Sequence, residues 1–194
     1  MKSISVYILI GGNSNRFGCP KWRIFIDGIS VLDRIWNSCS QFKSITLVGK
    51  QRPQGIGKHF VKDISIIQAP IIGLYTALKH AKSEWILLLS CDLPLMDKNV
   101  LTKLWSHISS DANIIVPKVF GKLQPTCSFY NKRLLNDCIN RINNKNLSLT
   151  KFIKENQHHD VNFDKNHNTF LNMNSKNDMR NAKKILRSNS KIKF

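Results

Sequence analysis

Ser3-Ile4-Ser5-Val6-Tyr7-Ile8-Leu9-Ile10, running directly into Gly11-Gly12-Asn13-Ser14-Asn15-Arg16-Phe17-Gly18-Cys19-Pro20-Lys21, couples an apolar strand to a glycine-rich loop. Three glycines in so short a loop are hard to explain by packing. Glycine lets the backbone come close to a phosphate and adopt positive φ, which turns successive N–H groups into a nest for an anion. Arg16 and Lys21 add cationic side chains able to neutralise a triphosphate and the charge that develops at its α-phosphorus. The loop has neither the G-x-x-x-x-G-K-[ST] of a Walker motif nor the G-x-G-x-x-G of a dinucleotide fingerprint. Spacing alone therefore leaves two readings open, a general phosphate loop and a plain strand-to-loop turn.

Outward from this stretch, short β-type runs alternate with helical patterns, the arrangement that builds a mostly parallel sheet covered by helices. Strands are expected at Ser3–Ile10, Trp22–Ile26, Ser44–Val48, Ile64–Ile67, Trp85–Ser90, Asn113–Val119 and Thr126–Tyr130. Ser30 is placed to cap a helix whose apolar residues Val31, Leu32, Ile35, Trp36 and Cys39 recur at helical spacing. Further helices are expected at Gly73–Ala81, Asp97–Ile108, Lys132–Ile142, Ser148–Glu155 and Asn177–Leu186, with Arg141–Asn146 as a polar loop. No internal repeat and no Pro/Gly-rich linker divides the chain, and 194 residues suit one domain.

Bulk properties exclude more than they identify. No apolar run approaches the roughly 20 residues of a membrane-spanning helix, so no membrane partner is expected. The apolar opening is too short for a signal peptide and ends in a loop bearing Arg16 and Lys21, which fits a buried first strand better. Five widely spaced cysteines without a C-x-x-C pair suggest reduced thiols in a cytoplasmic protein. Thirty Lys and Arg against twelve Asp and Glu give a net charge of +18, which raises nucleic-acid binding as a candidate function. The basic residues are scattered, however, except in the tail from Lys176 to Lys193, and no helix-turn-helix, zinc finger or RNP-type strand accompanies them. Compositional bias and attraction of anionic substrates are the better accounts, so no nucleic-acid partner is expected.

Trp85-Ile86-Leu87-Leu88-Leu89-Ser90-Cys91-Asp92-Leu93-Pro94 is the second informative stretch, an apolar strand that ends in a carboxylate. Ligands of open α/β sheets bind at the carboxyl ends of strands, where Asp92 could hold a metal-bound phosphate. A carboxylate oxygen suits Mg²⁺, which keeps several waters and shares phosphate oxygens. The pattern is equally that of an aspartate capping a turn.

The loop from Leu9 to Lys21 resembles the L-x-G-G-x-S-x-R-x-G-x-x-K motif of the molybdenum cofactor guanylyltransferase (MobA) family, with Leu9, Gly11, Gly12, Ser14, Arg16, Gly18 and Lys21 all matching. Pro20 and Phe17 stand where that family usually has aspartate and methionine. Cys91-Asp92-Leu93-Pro94 is similar to the family's magnesium motif C-D-x-P. Val61-Lys62-Asp63 is similar to a segment whose aspartate contacts the guanine nucleotide, and Ala69-Pro70-Ile71-Ile72-Gly73-Leu74 to its G-P-L-x-G stretch. Gln124-Pro125 resembles an [HQ]-P element near the acceptor, and Asn172-Met173-Asn174-Ser175 an N-[IV]-N-T element before the last helix. Gly49 falls where members often carry a nucleotide-contacting asparagine.

The resemblance implies a three-layer α/β/α Rossmann-like nucleotidyltransferase fold with a mostly parallel, twisted sheet over residues 1–187, followed by a basic tail at 188–194. It also implies transfer of GMP from GTP to molybdopterin with release of pyrophosphate and Mg²⁺ as cofactor. Arg16, Lys21 and Asp92 would be catalytic, Asp92 also holding the metal. Leu9, Ile10, Gly11, Gly12, Ser14, Lys21, Gly49, Asp63 and Asp92 would bind nucleotide, and Gln124, Pro125, Asn172 and Asn174 would face the acceptor. Molybdopterin-delivering proteins and molybdoenzymes would be partners of a monomer. Three alternatives stay open: a cytidylyltransferase with the same loop and aspartate, a basic nucleic-acid-binding protein, and a regulatory nucleotide binder without turnover. His158, His159 and His167 read as exposed, Ser175 as a helix cap, and the four tryptophans and the cysteines as packing.

Overall fold

Trp85–Ser90 carries almost nothing but large apolar side chains, and such a run is stable only when both faces of the strand are covered. In the computed structural model, which describes residues 2–11, 18–109 and 111–191, this segment is β6 and lies inside an eight-stranded sheet. The other strands of that sheet are β1 (Lys2–Leu9), β4 (Phe42–Gly49), β5 (Phe60–Lys62), β7 (Ile114–Val119), β8 (Lys122–Leu123), β9 (Cys127–Asn131) and β10 (His158–Asn162). Their order is β10-β7-β9-β6-β1-β4-β5, with β8 paired to β7. β5, β4, β1 and β6 pair in parallel, β10 pairs in parallel with β7, and β9 runs opposite to both its neighbours.

Alternation along the strands feeds two cores, one on each face. Val6, Ile8, Leu87 and Leu89 join Ile35 of α1 (Val31–Ser38), Leu101 and Leu104 of α3 (Lys98–Trp105) and Ala182 of α6 (Lys176–Lys191). Tyr7, Val48, Ile86 and Leu88 join Ile72, Leu74 and Ala77 of α2 (Pro70–His80), Cys138 of α4 (Leu135–Asn143) and Phe152 of α5 (Leu149–Glu155). The result is the expected three-layer α/β/α arrangement. Ser30, Asp97 and Ser148 cap α1, α3 and α5 by accepting backbone N–H groups of the first turn.

The expectations failed where tertiary pairing overrode local pattern. Trp22–Ile26 is not one strand: Lys21–Arg23 forms a 3₁₀ turn after Pro20, and only β2 (Phe25–Ile26) is extended. It pairs with β3 (Ile29–Ser30) in a separate hairpin whose loop residues, Asp27 and Gly28, both have positive φ (46° and 77°). That Asp-Gly pair favours a tight hairpin and was the overlooked signal. Ile64–Ile67 is an exposed loop, and the edge strand ends at Lys62. The polar stretch at His158–Asn162 is β10, polar because only Val161 of this edge strand is buried. α4 runs through Arg141 to Asn143 in place of the expected loop there, and α6 extends past Leu186 to Lys191.

Candidate functional site

Parallel pairing brings the carboxyl ends of four strands to one rim. Leu9 is in register with Val48 on one side and with Ser90 on the other, and Gly49 with Lys62. Backbone hydrogen bonds extend this alignment beyond the strands. Ile10 N donates to Val48 O (2.9 Å), Asp63 N to Gly49 O (2.8 Å), Cys91 N to Leu9 O (3.0 Å) and Ser90 N to Thr126 O (2.8 Å). The rim is therefore fixed by main chain before any side chain is considered.

A cavity of about 150 Å³ opens there, lined by Leu9, Gly11, Val48, Gly49, Lys50, Asp63, Gln68, Gly73, Ser90 and Thr126 among others. Two glycines hold its shape. A Cβ at Gly73 in α2 would lie 2.5 Å from Leu9 Cδ2, so a side chain there would force that of Leu9 to move. A Cβ at Gly49 would meet Ile10 Cγ1 at 3.0 Å. A wider cleft of about 670 Å³ continues past Ile10 and Gly11 to Gly18, Arg23 and Arg52.

Asp63 is held from three directions. Its Oδ2 accepts from Lys50 Nζ (2.9 Å), and its Oδ1 accepts from Thr76 Oγ1 (2.6 Å) and from Ile64 N (3.1 Å). Asp63, read in sequence as a nucleotide contact, lines the pocket wall, and its carboxylate is committed to neighbouring residues.

Asp92 follows β6 by two residues and differs from Asp63 in one respect: Asp92 Oδ1 is buried and has no hydrogen-bond partner among the described residues. A buried carboxylate oxygen without a donor is costly unless a cation satisfies it. Among the described residues no three His, Cys, Asp or Glu side chains gather around a metal. A single carboxylate of this kind fits Mg²⁺, which takes most of its ligands from water and phosphate, better than it fits an all-protein cage. Met173 N donates to Asp92 O (2.8 Å), which lays the segment Asn172–Asn174 against the end of β6.

Lys21 reaches the same place from the other end of the chain, donating to Asn174 Oδ1 at 2.6 Å. Its charge is felt by neighbours. Burial pushes the Cys91 thiol up to about 12, with Asp92 raising it further and Lys21 pulling it down. Such a thiol is not a thiolate near neutrality, so Cys91 is packing. Asp178 lies below the usual carboxylate range chiefly because Ser175 Oγ and the backbone N–H of Asn174 donate to it, with Lys21 contributing. Ser175 Oγ in turn accepts from Asp178 N (3.2 Å), a reciprocal cap at the start of α6.

Of the residues singled out in sequence, Leu9, Gly11, Gly49 and Asp63 line the cavity, and Ile10 lines the adjoining cleft. Lys21, Asp92 and Asn174 come together beside it, with exposed Asn172 next in the chain. Pro125 and Thr126 form a turn closed by Cys127 N donating to Gln124 O (3.0 Å), with Tyr130 donating to Pro125 O (2.8 Å). Gly12, Ser14 and Arg16 lie outside the described residues, as does Phe17. His158, His159 and His167 are exposed; His159 stacks on His107 and His167 accompanies Phe120. Sequence reasoning missed Lys50, Gln68, Ser90 and Thr126. For Lys50 a signal existed, a lone lysine directly after a residue placed at the pocket.

Residues 6–161 match the family of the MobA-like NTP transferase domain. A probable molybdenum cofactor guanylyltransferase of Aquifex aeolicus (strain VF5) is 34% identical over 178 residues, covering 90% of this chain and 87% of that protein. The crystal structure of molybdopterin-guanine dinucleotide biosynthesis protein A from Archaeoglobus fulgidus superposes with a TM-score of 0.81 at 19% identity, covering 95% of this chain and 99% of the other. That of 2-C-methyl-D-erythritol 4-phosphate cytidylyltransferase from Thermus thermophilus gives 0.72 at 14% identity, covering 95% and 99%. Guanylyl and cytidylyl enzymes thus share this fold, and the fold does not select the base.

Proposed function

The chain belongs to the MobA-like NTP transferase family, and from that premise we propose that it transfers GMP from GTP to molybdopterin, forming the guanine dinucleotide and releasing pyrophosphate. The observation that carries this reading is Asp92, a carboxylate with a buried, unpartnered oxygen at the carboxyl end of β6, two residues from a wall of the rim cavity. The base and ribose occupy that cavity. The triphosphate lies along the loop from Gly11 to Lys21, where Gly11 and Gly12 offer backbone N–H groups and Ser14, Arg16 and Lys21 offer donors and charge.

Asp92 would hold Mg²⁺, which when bound neutralises triphosphate charge and favours departure of pyrophosphate. Lys21 is oriented by Asn174, so its ammonium is aimed before substrate arrives and little reorganisation is needed. The acceptor's terminal phosphate is already anionic, and no side chain has to remove a proton from it. What remains for the protein is alignment: Asn172, Asn174, Gln124 and Pro125 bound the side from which the acceptor approaches the α-phosphorus. No helix among the described residues is long and apolar enough to cross a membrane. The described cysteines are all free. We place the enzyme in the cytoplasm as a monomer that takes molybdopterin from a delivering protein and passes its product to molybdoenzymes.

The test is turnover of α-labelled GTP and, separately, CTP with Mg²⁺ and molybdopterin, comparing the intact chain with Asp92→Ala. GTP-selective, Asp92-dependent dinucleotide formation supports the reading. Preference for CTP moves the chain to the cytidylyl branch, and no turnover with either nucleotide overturns it.

A further inference from the structure

Lys50 directly follows β4, and its ammonium makes three hydrogen bonds, the full number it can donate. One goes to Asp63 Oδ2 at 2.9 Å, one to the carbonyl of Ser65, and one to the carbonyl of Ile67 at 2.7 Å. All three acceptors belong to the segment that leaves β5 and returns to α2, passing through Gln68 on the cavity wall. That segment has no apolar anchor of its own. Ile64, Ile66 and Ile67 are 50%, 97% and 45% exposed, so hydrophobic burial does not hold it in place.

The ion pair itself is well shielded, with the Asp63 side chain 10% exposed and that of Lys50 31%. Removing the ammonium would leave a shielded carboxylate with no counter-charge and two carbonyls with no donor. Thr76 Oγ1 and Ile64 N would still engage Asp63 Oδ1, keeping Asp63 near its place while the residues beyond it came loose. Gly49, immediately before Lys50, is pressed against Ile10 and supplies no side chain to this wall.

We propose that Lys50 is a positioning residue for nucleotide binding: it staples residues 63–67 to the end of β4 and thereby sets the wall against which the base of a nucleoside triphosphate rests. Its ammonium acts through the loop, since all three of its donors are taken there, although the residue also lines the cavity. It also cancels the charge of Asp63, which would otherwise repel the anionic nucleotide. The proposal rests on the nucleotidyltransferase reading and adds to it the residue that shapes the base side of the pocket.

The test compares the full chain with Lys50→Met and Lys50→Arg, measuring GTP affinity by calorimetry with Mg²⁺, turnover, and hydrogen exchange of the peptide spanning 63–68. Expected for Lys50→Met is a GTP Kd and KM raised about tenfold or more, as for loss of a charge-assisted contact, with kcat at saturating GTP retained. Exchange at 63–68 should be fast in that variant without nucleotide and slow again at saturating GTP, and Lys50→Arg should recover much of the affinity. If Lys50→Met folds poorly, the double variant Lys50→Met/Asp63→Asn removes the stranded carboxylate and should fold while keeping the weak binding. Wild-type affinity in either methionine variant, or unchanged exchange at 63–68, overturns the proposal. If the wild-type chain binds no nucleoside triphosphate at all, the nucleotidyltransferase reading falls, and this proposal with it.

Discussion

The two sides of the candidate site are built by different means. The side proposed for the nucleotide, where β1, β4, β5 and α2 meet, is formed by main chain and by close approach, with Gly73 letting α2 settle onto Leu9 and backbone bonds joining Ile10 to Val48 and Asp63 to Gly49. The side around Asp92 is assembled from segments far apart in sequence, joined by hydrogen bonds such as Lys21 to Asn174 and Met173 N to Asp92 O. The first kind of construction fixes shape, because a packed wall gives way only at a cost. The second fixes charge, because a hydrogen bond such as that of Lys21 to Asn174 aims a side chain at an exposed place. Substitutions on the two sides should accordingly separate into effects on binding and effects on rate.

The sharpest separation comes from Asp92→Ala. Loss of the carboxylate proposed to hold the metal should lower kcat by about a thousandfold, the scale of removing a group that stabilises transition-state charge, while the thermal midpoint stays level or rises because a buried oxygen without a partner among the described residues is removed. A stability loss in step with the activity loss would collapse the distinction. Lys21→Ala should lower kcat by about a hundredfold, read in single-turnover kinetics, with GTP affinity changed much less than rate.

Gly73→Ala tests the packed side. The new methyl should drive Leu9 towards the cavity, costing about 1 kcal/mol of stability and raising the KM for GTP roughly fivefold, the equivalent of 1 kcal/mol in binding, with kcat intact. Denaturant melts and steady-state kinetics check both numbers, and adding Leu9→Ala should restore nucleotide affinity. An effect on kcat alone would mean that the close approach serves chemistry and not shape.

The smallest effect is expected at Asp178. Its folded carboxyl lies below its ordinary value, so its stabilisation is complete above the pH at which an unfolded aspartate ionises, about 3.9. That stabilisation is lost as pH falls through the lower folded value. Asp178→Asn should cost no more than about 1 kcal/mol near neutrality, as for loss of a helix cap. Melts from pH 6 downward should show the wild-type and variant curves converging at the acid end.

The same division explains what could be read in the sequence. β1, β6, α1 and α3 were legible because apolar periodicity and caps are local signals, and so was the place of Asp92 just beyond β6, whereas the role proposed for it came from the resemblance. β10 was not legible: His158–Asn162 is extended only because β7 lies beside it, and an edge strand with one buried residue carries no hydrophobic pattern. The Ile64–Ile67 run misled for the converse reason, three isoleucines of strand character left in solvent by a polar staple. Lys50 and Thr126 were missed because lining a cavity depends on where a neighbouring strand ends, which no local pattern records. Asn174 was suspected through resemblance, but its bond to Lys21 spans 153 positions and could be found only in three dimensions.

That span has a consequence for the order in which the protein is made. Domains begin to organise from the amino terminus as the ribosome extends the chain, and the glycine-rich loop emerges well before residues 172–178. Its lysine receives its orienting partner only when Asn174 has been added and the start of α6 has formed behind it. A nascent chain can thus display the rim cavity long before Lys21 meets Asn174, and the proposed centre is complete only once that later segment has been made.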